Sequence, residues 1–245
     1  MFAFNIALLR TMLSEFLQKN STAESFSWLL TQSITSQNAN RNFALSGRKF
    51  GKQKPDSSPD QFIYMSGNFP QTNWSNWTVL DMARLYQLLQ LEASSRQDYI
   101  RLVESLFLQA DLGELSILYK SLPFYAYPEA WSVRCAEGIR SNMGPVLEAI
   151  MQENNYPAEH LPEAAWNQMI LKAIFTGKNL SLIYGLKKRK NPALAASLLD
   201  YAEERLAAGR DIDAGIWDLT APFFPEETET LKLKFLQTNE YVLRK

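Results

Sequence analysis

The stretch PEAAWNQMILKAIFTG, Pro162 to Gly177, decides the fold class. A proline and a glutamate open it, where a first-turn proline is tolerated and an acidic side chain favours the helix N-terminus. A glycine closes it, the usual helix stop. Turned through about 100° per residue, Trp166, Met169, Ile170, Leu171, Ala173, Ile174 and Phe175 fall on one arc, the stripe of a docked helix. Asn167 lies inside that arc, between Leu171 and Ile174. Gln168 and Lys172 share the polar gap opposite. A buried amide without a partner costs about 1–3 kcal/mol, so Asn167 is expected to be paired.

The same helical period runs through most of the chain, and strand alternation is nearly absent. It predicts helices near 3–19, 22–37, 76–93, 96–110, 113–121, 128–142, 144–153, 162–176, 179–185, 191–208, 211–219 and 226–238. The polar, Gly/Pro/Ser-rich run SGRKFGKQKPDSSPDQ (Ser46 to Gln61) begins one long irregular connection over 46–76. Loops that long are functional or disordered as a rule. LSILY (Leu115 to Tyr119) and LSLIY (Leu180 to Tyr184) echo one another and suggest paired helical hairpins. The expected architecture is therefore all-α, a single domain over 1–245. Its antiparallel helix pairs would be stacked as an α/α solenoid (HEAT/TPR-like) or irregular helical bundle.

Composition narrows the function classes. The net charge of −1 gives no electrostatic footprint for nucleic acid. The single cysteine, Cys135, suits a reducing compartment and a buried apolar role. The opening MFAFNIALLRTMLSEFLQ lacks a basic start and a small-residue cleavage site. Phe2, Ile6, Leu9, Leu13, Phe16 and Leu17 recur at helical spacing instead, so a docked helix is expected. No apolar run approaches the ~20 residues of a membrane span, and a cytoplasmic protein is expected.

Catalytic inventory is thin. With one histidine, His160, neither a two-histidine zinc site nor an HExxH pair can be assembled, and His160 is expected exposed in a loop. Walker A, GxGxxG and GxSxG patterns are missing, so no cofactor is expected. Glu203–Glu204 and Glu226–Glu227 are neighbours in sequence, which helical geometry points apart.

Two further helices carry polar groups in unusual places. In NPALAASLLDYAEERLAAGR, Asn191 is an N-cap and Gly209 a stop, while Arg205 projects from the stripe of Leu194, Leu198, Tyr201 and Ala202. A full helical turn follows Arg205, so burial against a carboxylate is expected, with Glu137 or Glu148 as partner. In PEAWSVRCAEGIRSN, Gly138 would admit a neighbouring backbone. Arg134, Glu137 and Arg140 climb one side, either as a surface ladder or as a cationic wall in which Glu137 orients two guanidiniums. The basic run KKRK (Lys187 to Lys190) reads as a solvated turn, with Arg189 the member to watch.

The segments RCAEGIRSNMGPVLEAIMQENNYP, AAWNQMILKAIFTG, LSLIYGLKKRKNPALAASLLDYAEERLAAGR and IWDLTAPF together resemble the EboA-domain family, over roughly Arg134 to Phe223. RKFGK (Arg48 to Lys52) resembles its R-x-x-G-K. Polar positions matching the family include Arg134, Glu137, Arg140, Asn142, Glu148, Asn167, Lys172, Arg189, Asn191, Tyr201, Glu204, Arg205 and Arg210. Glu203-Glu204-Arg205-Leu206 departs from the family's frequent His-Glu-Arg-Trp. The resemblance implies a bacterial or cyanobacterial protein of a secondary-metabolite cluster, associated with making or moving a natural-product precursor. Its neighbours there resemble a prenyltransferase, a metal-dependent hydrolase and sugar-isomerase-like enzymes.

Two functions are compatible with these residues. One is a non-catalytic helical binding or scaffold protein that handles a pathway intermediate or a partner enzyme. The other is an isomerase or transferase acting on an anionic or isoprenoid intermediate, with Arg134, Arg140 and Arg205 holding the anion and Glu137 or Glu204 moving a proton. Both expect Asn167 and Arg205 to share one polar centre, with Asn142, Glu148 and Tyr201 as further binding candidates.

Overall fold

The computed structural model describes residues 2–32 and 34–243, with side chains up to residue 237. Among these the chain is all-α, its only sheet-like pairings being two isolated bridges, Ile34–Leu91 and Thr72–Asn154. The packing divides into two compact units, residues 1–161 and 162–245.

The first unit holds α1 (Ile6–Asn20), α2 (Ala23–Thr31), α3 (Ala39–Lys49), α4 (Pro59–Asn68), α5 (Val79–Leu88), α6 (Arg96–Gln109), α7 (Leu112–Lys120), α8 (Ser132–Arg140), α9 (Gly144–Met151) and α10 (Tyr156–His160). The opening segment is a docked helix as expected. Asn5, which interrupts its apolar run, accepts from the Leu8 amide as N-cap, and Leu9, Met12, Leu13, Phe16 and Leu17 are buried. α5 is the centre of the unit, with every residue from Val79 to Leu88 buried except the half-exposed Asp81. A helix covered all round leaves no face for water, so α1, α3 and α7 pack against it. Beside it an aromatic cluster forms, Trp74 lying 5.0 Å from Trp77 and 5.2 Å from Phe124 between ring centroids. Gly138 admits neighbouring side chains rather than the neighbouring backbone expected of it. A Cβ there would lie 2.5 Å from both Ile150 of α9 and the Tyr119 ring of α7, so the bare backbone lets three helices close together.

The second unit holds α11 (Glu163–Phe175), α12 (Pro192–Ala207), α13 (Gly215–Thr220) and α14 (Pro225–Leu243). Both glycine stops are realised. Gly177 and Gly209 have φ of 64° and 60°. Behind them Lys178 N–H reaches the Ala173 carbonyl and Arg210 N–H the Arg205 carbonyl, satisfying carbonyls that the helix ends leave open. Phe175 departs from the expected stripe and is 77% exposed.

Several expectations are corrected. The segment 46–76 is not one irregular connection: α3 runs through its start, and Ser58 with Gln61 forms a capping box that opens α4 inside it. The helix expected at 22–37 ends at Thr31, and α3 follows as a separate helix. Residues 179–185 make a single 3-10 turn, Leu180–Leu182, so the echo between LSILY in α7 and LSLIY joins two different conformations. Both copies follow a capping side chain, Asp111 in one case and Asn179 in the other, so five similar residues do not by themselves specify a helix. His160 ends α10 and is half-buried, its ring 4.5 Å from that of Tyr156, rather than lying exposed in a loop.

Candidate functional site

The polar residues singled out by sequence are distributed over both units, and their local partners differ from those expected. In the second unit Asn167 is half-buried on α11 and pairs with Asn191, not with Arg205. The exchange is reciprocal: Asn167 Nδ2 donates to Asn191 Oδ1 at 3.1 Å, and Asn191 Nδ2 donates back at 2.9 Å. The same Asn191 oxygen accepts from Leu194 N–H and so caps α12. The pair pins the start of one helix to the flank of the other. Next to it the Arg189 guanidinium stacks 4.7 Å from the Trp166 ring centroid, and burial pulls the Arg189 pKa down. Lys190 donates to the Asp218 carbonyl, while Lys187 and Lys188 are exposed as a solvated turn requires.

Arg205 corrects the expectation of a buried arginine held by an acid. It is half-buried, donates from Nε to the Asp211 carbonyl at 2.9 Å and lies over the Tyr201 ring. The chain doubles back after Gly209, which brings a backbone acceptor to the guanidinium and removes the need for a carboxylate. Glu204 and Arg210 are exposed, Tyr201 and Lys172 half-buried.

In the first unit the two readings of α8, a surface ladder or a cationic wall, are decided toward the ladder, with Arg134 paired to Glu137 and to Glu104. Arg134 Nε donates to Glu104 of α6 at 3.2 Å, its Nη2 meets the other oxygen of the same carboxylate, and its Nη1 lies 2.9 Å from Glu137. The guanidinium also covers Phe107. With two carboxylates and a ring around it, Arg134 is a strut between α6 and α8. Arg140, Asn142 and Glu148 are exposed. Cys135 is fully buried, and burial pushes its thiol pKa well up, against a nucleophilic role.

Sequence reasoning passed over the strongest polar cluster, which lies where α3, α5 and α7 meet. Arg84 of α5 and Glu114 of α7 form an ion pair at 3.2 Å, their side chains only 7% and 10% exposed. Arg84 Nε also donates to the Phe43 carbonyl, and its guanidinium lies 5.1 Å from the Phe43 ring centroid. Desolvation lowers the Arg84 pKa, and Glu114 opposes the shift. Glu114 is fixed at its other end by a capping box, its Oε2 accepting from Asp111 N–H while Asp111 accepts from its own amide. One turn along α5, Gln87 bonds Ser46 at 2.9 Å and the Asn42 carbonyl at 3.4 Å, all three residues being buried.

Glu114, but not Arg84, also lines a cavity of about 310 Å³. Its buried wall is Phe43, Leu106 and Glu114. Its outer lining includes the exposed Arg41, Ala44 and Gln109, with Asn40 and Ala110 between. Asn40, Arg41, Gln109 and Glu114 place polar groups around the apolar Phe43 and Leu106, a mixed lining open to solvent on one side. The signal available in the sequence was Arg84 and Gln87 at i, i+3 in VLDMARLYQL, polar residues after Asp81 in a mainly apolar helix, like Asn167 in α11.

In comparison with known families, the family described as metabolite traffic protein EboA matches residues 9–221. The matched span takes in the α3–α6–α7 cavity as well as the Asn167–Asn191 pair. Comparison with curated proteins and with solved structures finds no match. No described helix is long and apolar enough to cross a membrane.

Proposed function

This chain is a member of the EboA family, and on that premise we propose that it is a non-catalytic carrier that holds a small metabolite in the α3–α6–α7 cavity. The metabolite would be a pathway intermediate of a bacterial secondary-metabolite cluster, passed to or from enzymes of that cluster. The observation that carries the reading is the buried Arg84–Glu114 pair beside an open cavity. Replacing a buried ion pair by apolar residues is often neutral or stabilising, so a pair whose carboxylate lines a cavity is supported better by a ligand than by stability. The family description favours handling of a metabolite over its conversion.

Native mass spectrometry of the full chain isolated from its source organism under non-denaturing conditions tests this. A retained small molecule is expected on the wild type and not on Ala44→Trp, which places an indole in the cavity mouth from an exposed position. Equal retention by both would remove this cavity as the site.

A further inference from the structure

We infer that the metabolite taken by this cavity is a small hydroxylated organic anion, its hydroxyl against Glu114 and its acid group toward Arg41; the inference rests on the cavity being the site. Glu114 accepts one bond from Arg84 through Oε1 and one from Asp111 N–H through Oε2. A carboxylate has about four acceptor positions, so acceptor capacity is left over on a buried group that lines the cavity. The group it meets must therefore be a donor.

The charge balance decides which donor. Arg84 already compensates Glu114, so an ammonium brought to the inner end would add a net positive charge to a desolvated place, beside a guanidinium. A neutral hydroxyl fills the same acceptor without that penalty. At the outer end the balance is reversed: Arg41 is exposed, and its planar fork suits a carboxylate or phosphate. Between the two ends the wall is the Phe43 ring and Leu106, which fit an apolar body. The cavity volume of about 310 Å³ corresponds to roughly ten water molecules at their liquid density, room for one ring with a short acid arm.

Three matched probes test each end on the full chain, by titration followed through the NMR signals of Ala44 and Leu106. They are 4-hydroxyphenylacetate, phenylacetate without the hydroxyl, and tyramine with an ammonium in place of the acid. The hydroxyphenylacetate is expected to bind in the cavity, and each of the others at least about tenfold more weakly. Arg41→Glu, a surface change, is expected to reverse the order of 4-hydroxyphenylacetate and tyramine. Glu114→Gln is expected to narrow the gap between hydroxyphenylacetate and phenylacetate, in any preparation that remains folded. Equal binding of the two acids, an unchanged order in Arg41→Glu, or no saturation by any probe overturns the ligand class. If Ala44→Trp nevertheless loses its retained metabolite, the cavity stands and only the class has failed. If Ala44→Trp retains it, the site itself was misplaced.

Discussion

The α11–α12 contact of the second unit and the α3–α5–α7 contact of the first solve one problem in opposite ways. Each places polar side chains between packed helices. Asn167 and Asn191 answer with two neutral amides that exchange reciprocal bonds, Asn191 also capping α12 and donating to the Arg189 carbonyl. Arg84 and Glu114 answer with a charged pair, fixed by Phe43 and Asp111 backbone groups, that leaves acceptor capacity beside a cavity. A reciprocal amide pair holds helices in register. The ion pair, with acceptor capacity left at a cavity wall, is what the proposed metabolite site rests on.

The largest effect that could break this contrast is at Arg84. Arg84→Met leaves Glu114 buried without its counter-charge, and chemical denaturation is expected to show a loss of about 3–5 kcal/mol. Adding Glu114→Leu should recover much of that loss, since the charge is then gone as well. A cost that stays the same in the double variant would mean that packing, not charge, dominates the site.

The amide pair should respond more mildly. Asn167→Ala is expected to cost about 1–2 kcal/mol, and Asn191→Ala somewhat more because α12 also loses its cap. The double variant should cost less than the sum of the two, since either change alone breaks both reciprocal bonds. Strict additivity would show that the two amides act separately.

Arg205→Ala is expected to cost under about 1 kcal/mol, because its partner is a backbone carbonyl at the surface and no carboxylate is stranded. A loss several times larger would restore the buried role that its stripe position suggests.

Mild acid gives the smallest separation. The Asn167–Asn191 pair does not titrate in this range. In the first unit, burial against Tyr156 lowers the His160 pKa below its ordinary value of 6.5. The unfolded chain therefore takes up the proton first as pH falls, and stability is lost below about pH 6.5 until the folded histidine is protonated too. Thermal melts across that window are expected to fall for the wild type and to flatten for His160→Gln.

Local pattern alone determined the all-helical class and the punctuation of α11 and α12. Asn191, Gly177 and Gly209 act within one helical turn of themselves, so their roles follow from the residues and their spacing. Gly138 was legible for a similar reason, as a residue without a side chain on a packed face. α3 was hidden because its buried face is Ala39, Asn42, Phe43 and Ser46, two of the four polar, and it is helical because α5 and α6 are there to pack on. Partners lay beyond the sequence altogether. A stripe position states that Arg205 or Asn167 leans inward, but not whether an amide, a carbonyl or a carboxylate waits there. Arg84 and Glu114 are 30 residues apart, and only the tertiary structure joins them. Hydrogen bonds and ion pairs act over about 3–4 Å, and what stands at that distance is decided by how helices far apart in the chain pack together.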